Sequence, residues 1–324
     1  MLVSGTAIGI DMMGGDYAPH EAVKGLQFYL SGNAEKDTIF CIGKKEELNT
    51  LFKEYNLLDN ARVCIIDAPE IIGYNEHPTK ALKEKTQSSI AIGFHLLATG
   101  KIDAFISAGN TGAMLVGAMY SIKAIKGVLR PTIPTIVPKL NGQTGLLLDV
   151  GLNADCKPEH LNQFAVLAGL YADLMLNINT PRVGLLNIGE EDGKGNLLAQ
   201  AAYPLLKENK LINFIGNIEG RDIFKNKADV IVCDGFTGNI VLKMAESIYD
   251  IALHQQLQND AFLKRFHYEN YGGTPVLGVA KPVVIGHGIS NAKAFGNMIV
   301  QARKMLETNL CEKIKNAFVT GAGV

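Results

Sequence analysis

The sequence predicts an α/β fold of three layers, α/β/α, built on a largely parallel sheet. Three observations predict it. Short apolar runs alternate along the chain with longer segments of helical period, the order that strand–helix units produce. Several of the short runs are apolar on both faces, as strands buried in a parallel sheet are. The runs also end repeatedly in glycine with small polar residues, the chemistry of a turn from strand into helix.

The first strand is expected at 6–11 (TAIGID), ending in the turn Ile10-Asp-Met-Met-Gly-Gly-Asp16. The next two, 37–42 (DTIFCI) and 61–66 (ARVCII), are short runs rich in isoleucine, valine and cysteine. The fourth, 102–107 (IDAFIS), needs its own argument, because no charge occurs between Asp103 and Lys123. An uncharged run of that length suggests a membrane span. Its middle, Ser107-Ala-Gly-Asn-Thr-Gly-Ala113, would break a span at mid-depth. The run therefore divides into a strand ending at Ser107, a turn over 108–111 and an apolar helix from Gly112. Further strands are expected at 144–150 (TGLLLDV), 183–188 (VGLLNI), 228–233 (ADVIVC) and 282–285 (PVVI). Two helices carry a clear stripe. Segment 239–257 aligns Ile240, Met244, Ile248, Ile251 and Ala252, and segment 290–315 aligns Phe295, Met298, Ile299, Ala302 and Leu306.

Composition narrows the function. The 324 residues are 47% hydrophobic, enough for a substantial core. Net charge is −1, from 31 basic and 32 acidic residues, so the basic excess of a nucleic-acid binder is missing. The five cysteines, Cys41, Cys64, Cys156, Cys233 and Cys311, form no CxxC, and buried reduced thiols of a cytosolic protein are expected. The opening MLVSGTAIGID has no basic stretch and reaches Asp11 early, so no signal peptide is expected.

The turns carry the functional signal. Ser107–Ala113, Asp149-Val-Gly-Leu-Asn-Ala-Asp155, Ile188-Gly-Glu-Glu-Asp-Gly-Lys-Gly-Asn196, Cys233-Asp-Gly-Phe-Thr-Gly-Asn239 and Gly286-His-Gly-Ile-Ser-Asn-Ala292 all follow apolar runs. In a parallel sheet such turns share the carboxyl edge, where open α/β proteins bind ligands. Asn110-Thr111, Thr237 with Asn239, and Ser290-Asn291 stand at expected helix starts, whose free N–H groups and dipole suit an anion. Ordinary N-capping explains the same residues one turn at a time. No GxGxxG follows a strand, and Gly189-Glu-Glu-Asp-Gly-Lys194 is one residue short of a P-loop. Lys80, Lys83, Lys85, Lys157 and Lys194 would serve a phosphate as point charges. Asp11, Asp149 and Asp234 end strands, with Glu190, Glu191 and Asp192 nearby; orienting lysines or capping turns is favoured for them over holding a metal. No HExxH occurs, and His287 alone lies in one of these turns, open to hydrogen bonding or proton transfer.

Together these turns resemble the phosphate acyltransferases of phospholipid synthesis, the PlsX family. The resemblance rests on Ile8–Asp16 with Ala18-Pro19, Ser107–Ala113, Leu148-Asp-Val-Gly151 with Asp155-Cys-Lys-Pro158, Asn187–Glu191 with Lys194-Gly-Asn196, Asn213–Asp222, Cys233–Asn239 and His287–Ala292. Seven motifs in family order from residue 8 to about 300 are highly specific. The resemblance implies transfer of a long-chain acyl group from acyl-acyl-carrier-protein to inorganic phosphate. It implies a fold like that of the phosphate acetyltransferases and isopropylmalate-dehydrogenase-like enzymes, with no metal or organic cofactor. It also implies a homodimer that is cytosolic or loosely attached to the membrane at its periphery. Residues 1–324 are then a single catalytic α/β domain, with a helical dimerisation segment at about 240–270. Two departures stand out. Lys83 replaces the family's usual arginine, keeping charge but losing bidentate phosphate binding. The segment between Asn239 and Tyr271 is shorter than the family's helical hairpin; Phe262, Leu263 and Phe266 would touch a membrane or pack on the protein or its dimer mate.

The residues suit that chemistry. Phosphate is anionic near neutral pH, so it needs no deprotonating dyad. A thiol of pKa about 8.5 leaves without a strong acid. What remains is to hold an anion and stabilise a tetrahedral oxyanion. Asn110, Thr111, Gly112, Thr237, Gly238, Asn239, Ser290 and Asn291 are expected to frame these charges, with Lys194 and Lys83 as charge partners and His287 as proton donor to sulfur. Direct attack is expected, because no nucleophile elbow or Ser/His/Asp set is visible. Transfer between coenzyme A and phosphate, an oxidoreductase of the related dehydrogenase fold, and a non-catalytic membrane-associated scaffold for acyl carrier protein are the competing readings.

Overall fold

A computed structural model describes residues 5–32, 37–257 and 259–320. In chain order the strands are β1 (Ala7–Asp11), β2 (Thr38–Gly43), β3 (Val63–Asp67), β4 (Ala104–Ser107), β5 (Thr135–Pro138), β6 (Thr144–Leu148), β7 (Arg182–Asn187), β8 (Asn213–Glu219), β9 (Val230–Val232), β10 (Gly273–Pro275) and β11 (Val283–Gly286). The helices are α1 (His20–Gly32), α2 (Lys45–Glu54), α3 (Pro78–Glu84), α4 (Ser89–Ala98), α5 (Thr111–Gly117), α6 (Pro158–Leu176), α7 (Leu197–Glu208), α8 (Gly235–His254), α9 (Ala292–Glu307) and α10 (Leu310–Thr320). The α/β class with mostly parallel strands is as expected, and all eight expected strands form. They divide between two sheets, in two compact units: Met1–Lys123 with Tyr268–Glu307, and Ala124–His267 with Thr308–Val324.

In the first unit the strand order is β10-β11-β4-β1-β2-β3, parallel except for β10 against β11. Its core is the apolar interior of those strands, Ile8, Ile10, Ile39, Phe105 and Ile106, all fully buried. Helix α9 lies along β11 and β4 and packs on α1, while α4 packs on β1, β2 and β4. The uncharged run forms three elements: β4, a turn, and α5 running into a π-helical turn at Ala118–Ile122. No described helix is long and apolar enough to cross a membrane.

In the second unit the order is β5-β6-β9-β7-β8, parallel except for β5 against β6. Helix α6 packs on β6 and β9, α7 on β7 and β8, and α10 on α6. The stripe foreseen on 239–257 is largely exposed: Ile240, Met244 and Ile251 face outward, Ile248 is half-buried and Ala252 is buried. Val241 and Leu242 pack on the core beside Val137, Leu147 and Ile231 instead. The single helix expected over 290–315 breaks into α9 and α10 at Asn309, whose φ of 52° no helix continues through.

Arg182 ties the start of β7 to the segment before β9. Its Nε and Nη2 donate to the two Asp229 carboxylate oxygens at 2.9 and 2.8 Å, and its Nη1 donates to the Asn226 carbonyl at 3.0 Å. Burial acts to raise the Asp229 pKa, but the Arg182 hydrogen bonds outweigh it and hold the carboxyl below its ordinary value. Arg182→Lys keeps the charge and loses the fork. It is expected to lower unfolding stability by about 1–2 kcal/mol in thermal or urea melts. The lowered pKa means that Asp229's stabilisation is complete above its unfolded value and disappears as pH falls through the folded one. The gap between wild type and variant should therefore narrow below about pH 4.

Candidate active site

Each unit presents a row of turns at the carboxyl edge of its sheet. In the first unit these follow β1, β3, β4 and β11. Asp11 closes β1, is 1% exposed, and its carboxylate accepts from Ser107 Oγ at 2.6 Å and Met13 N at 3.0 Å. Ser107 Oγ in turn accepts from Gly109 N at 2.9 Å. Burial pushes the Asp11 carboxyl above its ordinary pKa, against the hydrogen bonds from Ser107 and Ser89. The chain Asp11–Ser107–Gly109 fixes the turn between β4 and α5. Sequence reasoning placed Asp11 at a strand end but had no signal that it would meet Ser107, a partner from a distant strand.

Asn110 is buried and caps α5, its Oδ1 accepting from Ala113 N at 2.9 Å. Its Nδ2 donates to the Gly73 and Tyr74 carbonyls at 2.9 and 3.2 Å. Its side chain is thus fully used in shaping the turn. Thr111 is exposed and Gly112 half-buried on the same first turn. Tyr74, which the sequence did not suggest, donates to the Ala108 carbonyl at 3.1 Å, and burial pushes its hydroxyl up to about 12.

The turn after β11 is also capped from within. Asn291 Oδ1 accepts from Ala294 N at 3.1 Å, and Glu21 on α1 accepts from Ala292 N at 2.7 Å. A carboxylate therefore already stands at the start of α9. Ser290 is fully buried, its hydroxyl donating to the His287 carbonyl at 2.6 Å. His287 Nδ1 lies 3.4 Å from Ile289 N. Lys83 is exposed in the last turn of α3. An open cavity of about 640 Å³ lies in this unit beside His20, Glu21, Lys24 and Asn291.

In the second unit the turns follow β6, β9, β7 and β8, which are neighbours in that order. Asp149 is fully buried and accepts five hydrogen bonds. Asn153 N and Nδ2 reach Oδ2 at 2.7 Å each; Leu152 N, Gly151 N and Ile133 N reach Oδ1 at 3.2, 3.3 and 3.4 Å. Helix α8 begins earlier than expected, because Asp234 is its cap: Oδ1 accepts from Thr237 N and Oδ2 from Thr237 Oγ1, both at 2.8 Å. Thr237 therefore sits inside the first turn rather than capping it. Gly238 is buried against the Asp149 turn, and Asn239 Nδ2 donates to the Val150 carbonyl at 3.1 Å. Lys194 is half-exposed on the turn after β7, with Glu191 at 3.9 Å. Burial pushes the Cys156 thiol up to about 11 and the Cys233 thiol well above its ordinary value.

The three expected helix starts are thus each capped by the chain's own carboxylate or amide. Thr111 on the first turn of α5 stays exposed in the first unit, and the Lys194 ammonium does so in the second. Fold and turns together define an α/β protein with the phosphotransacetylase architecture. EutD phosphotransacetylase from Staphylococcus aureus shares the fold at a TM-score of 0.64, covering 93% of this chain and 94% of that one at 17% identity. A phosphotransacetylase from Streptococcus pyogenes does so at 0.65, covering 94% and 95% at 18% identity. The sequence is more specific. Residues 6–313 match the family model of the fatty acid synthesis protein. The chain is 43% identical to the phosphate acyltransferase of Dictyoglomus thermophilum over 95% of its length and 96% of that protein's. It is 41% identical to that of Aquifex aeolicus, over 95% of each. The chain belongs to the phosphate acyltransferase family and is an acyltransferase.

Proposed function

We propose that the protein transfers a long-chain fatty acyl group from acyl-acyl-carrier-protein to inorganic phosphate, giving acyl phosphate for phospholipid synthesis. The observation that carries this is the identity with phosphate acyltransferases over nearly the whole chain. A phosphate oxygen attacks the thioester carbonyl carbon. The carbon–oxygen bond forms, the carbon–sulfur bond breaks, and the electron pair leaves with sulfur. His287 donates a proton to the thiolate and is reprotonated by the proton that the hydrogen phosphate group gives up on becoming acyl phosphate dianion. Lys194 and Lys83 balance the phosphate charge; Thr111, Gly112, Thr237, Gly238, Asn239, Ser290 and Asn291 line the turns that frame the anions. Asn110 acts by holding its turn in shape.

Direct attack is supported by the two cysteines at the carboxyl edge, whose raised pKa values leave little thiolate at neutral pH. Cys156→Ala and Cys233→Ala are expected to keep activity within about twofold, and an acyl group recovered on either thiol overturns direct attack. The working form is a cytoplasmic homodimer. The exposed Ile240–Met244–Ile251 stripe of α8 supports a helical dimer contact within 240–270. Phe262, Leu263 and Phe266 are half-buried, and Phe266 stacks edge-on against Phe224 and Phe262 at 5.3 Å, which favours packing over deep membrane insertion.

The test is to incubate purified protein with palmitoyl-acyl-carrier-protein and trap acyl phosphate as hydroxamate, with and without inorganic phosphate. Phosphate-dependent product is expected. Product only from coenzyme A thioesters would reassign the donor. Carrier-protein binding without turnover would identify a scaffold.

A further inference from the structure

The turn that carries Lys194 is tied down along its length. Glu190 Oε1 accepts from Lys227 Nζ at 2.7 Å. The Glu191 carbonyl accepts from Asn217 Nδ2 at 2.8 Å. Asp192 accepts from Tyr203 Oη at 2.6 Å and Lys207 Nζ at 3.0 Å. The Lys194 carbonyl accepts from Asn187 Nδ2 at 3.0 Å, and the Gly195 carbonyl from Gln200 Nε2 at 2.9 Å. Water would satisfy the same groups on an ordinary surface turn, so the tethers fix geometry rather than rescue polar atoms.

Two of them come from residues otherwise hard to explain. Asn217 is 3% exposed on β8, and its Oδ1 is buried with no hydrogen-bond partner among the described residues. A buried carbonyl oxygen left unpaired costs stability, whereas leucine at the same point would leave no orphan. The asparagine is thus an expensive choice for a core position, and its one bond goes to the Lys194 turn. Lys227 sits in a set of carboxylates, Glu190, Glu219 and Asp222, whose oxygens lie within 4.8 Å of one another. Lys225 and Arg221 pair with Asp222 and Glu219, so the three carboxylates meet three cations. That balance makes the cluster an ionic clasp on the first residues of the turn.

We propose that Asn217 and Lys227 are positioning residues for Lys194: they hold the backbone of residues 189–196 in one conformation and thereby set where the Lys194 ammonium stands. The inference rests on the reading that Lys194 balances the charge of inorganic phosphate. Strands β7 and β9 are adjacent and parallel, so the Lys194 turn and the first turn of α8 lie side by side at one edge. A lysine on a loose turn would lose alignment entropy on each encounter; on a fixed turn that cost is already met in folding.

A double-mutant cycle tests this. Asn217→Leu, Lys227→Met, Lys194→Ala and the two double variants with Lys194→Ala are assayed for kcat and for KM of inorganic phosphate and of palmitoyl-acyl-carrier-protein, alongside thermal melts. Asn217→Leu and Lys227→Met are each expected to lower kcat/KM for phosphate about tenfold, with KM for the acyl donor unchanged. Added to Lys194→Ala, each is expected to do nothing further, because a positioning residue has no effect once the group it positions is gone. Effects that multiply with Lys194→Ala would make the two residues merely structural and overturn the proposal. Unchanged kinetics in both single variants, with Lys194→Ala impaired, would overturn it too. A Lys194→Ala enzyme with wild-type phosphate kinetics would instead remove the role of Lys194 itself, and the proposal with it. If Asn217→Leu does not fold, the Lys227→Met cycle alone gives the same decision, since Lys227 is partly exposed.

Discussion

Gly238→Ala is expected to destabilise the protein by about 3 kcal/mol or more and to remove most soluble, active enzyme. A Cβ at residue 238 would overlap the Asp149 carbonyl oxygen and press on the carbonyl carbon and Cys233 Sγ. None of these can yield cheaply. The carbonyl belongs to the turn that Asp149 itself holds with five hydrogen bonds, and Cys233 N is bonded to the Leu148 carbonyl at 2.7 Å. Helix α8 would have to lift off the edge of its sheet, taking Thr237 and Asn239 with it. Thermal melts with residual-activity measurements check this; a Gly238→Ala enzyme melting within about 2 °C of wild type would show that the helix start has slack.

Which elements were legible follows from where they lie in the sheets. The eight strands foreseen include every central strand, because burial on both faces writes an unbroken apolar run. The three not foreseen, β5, β8 and β10, all lie at sheet edges. There, pairing on one side only tolerates Pro138, Gly216, Gly273 and Pro275, residues that argue against a strand when read alone. Helix α8 has two apolar stripes, Ile240–Met244–Ile251 and Val241–Leu242, and periodicity cannot tell which meets the core. At the site, the turns were legible as glycine next to small polar residues. The cap of α8 was not, because Gly235 reads as part of a turn. It is helical, and it is glycine because the Asn153 backbone comes too close for a Cβ. Pairings such as Asp11 with Ser107 join distant strands and leave no local pattern.

Asp149→Ala should rank with Gly238→Ala in cost, at about 3–4 kcal/mol, by the opposite route: donors lose their acceptor. Four backbone N–H groups and the Asn153 amide converge on this one carboxylate. Its site is fully buried, so water cannot take over the acceptor role without opening the turn. Asp149→Asn separates charge from shape. The amide keeps one acceptor oxygen but turns an –NH₂ toward donors that need an acceptor, so it should recover only part of the loss, leaving about 2 kcal/mol. Urea melts of the three proteins measure the ranking, wild type above Asn above Ala. If Asn matched wild type, the turn would need only a neutral acceptor and the carboxylate would be idle in folding. In that case its retention beside the first turn of α8 would point to chemistry, and the pH profile of acyl transfer in Asp149→Asn would be the place to find it. With the expected ranking, the carboxylate is the pin that lets Gly238 approach so closely, and the two substitutions should be non-additive because each releases the same contact.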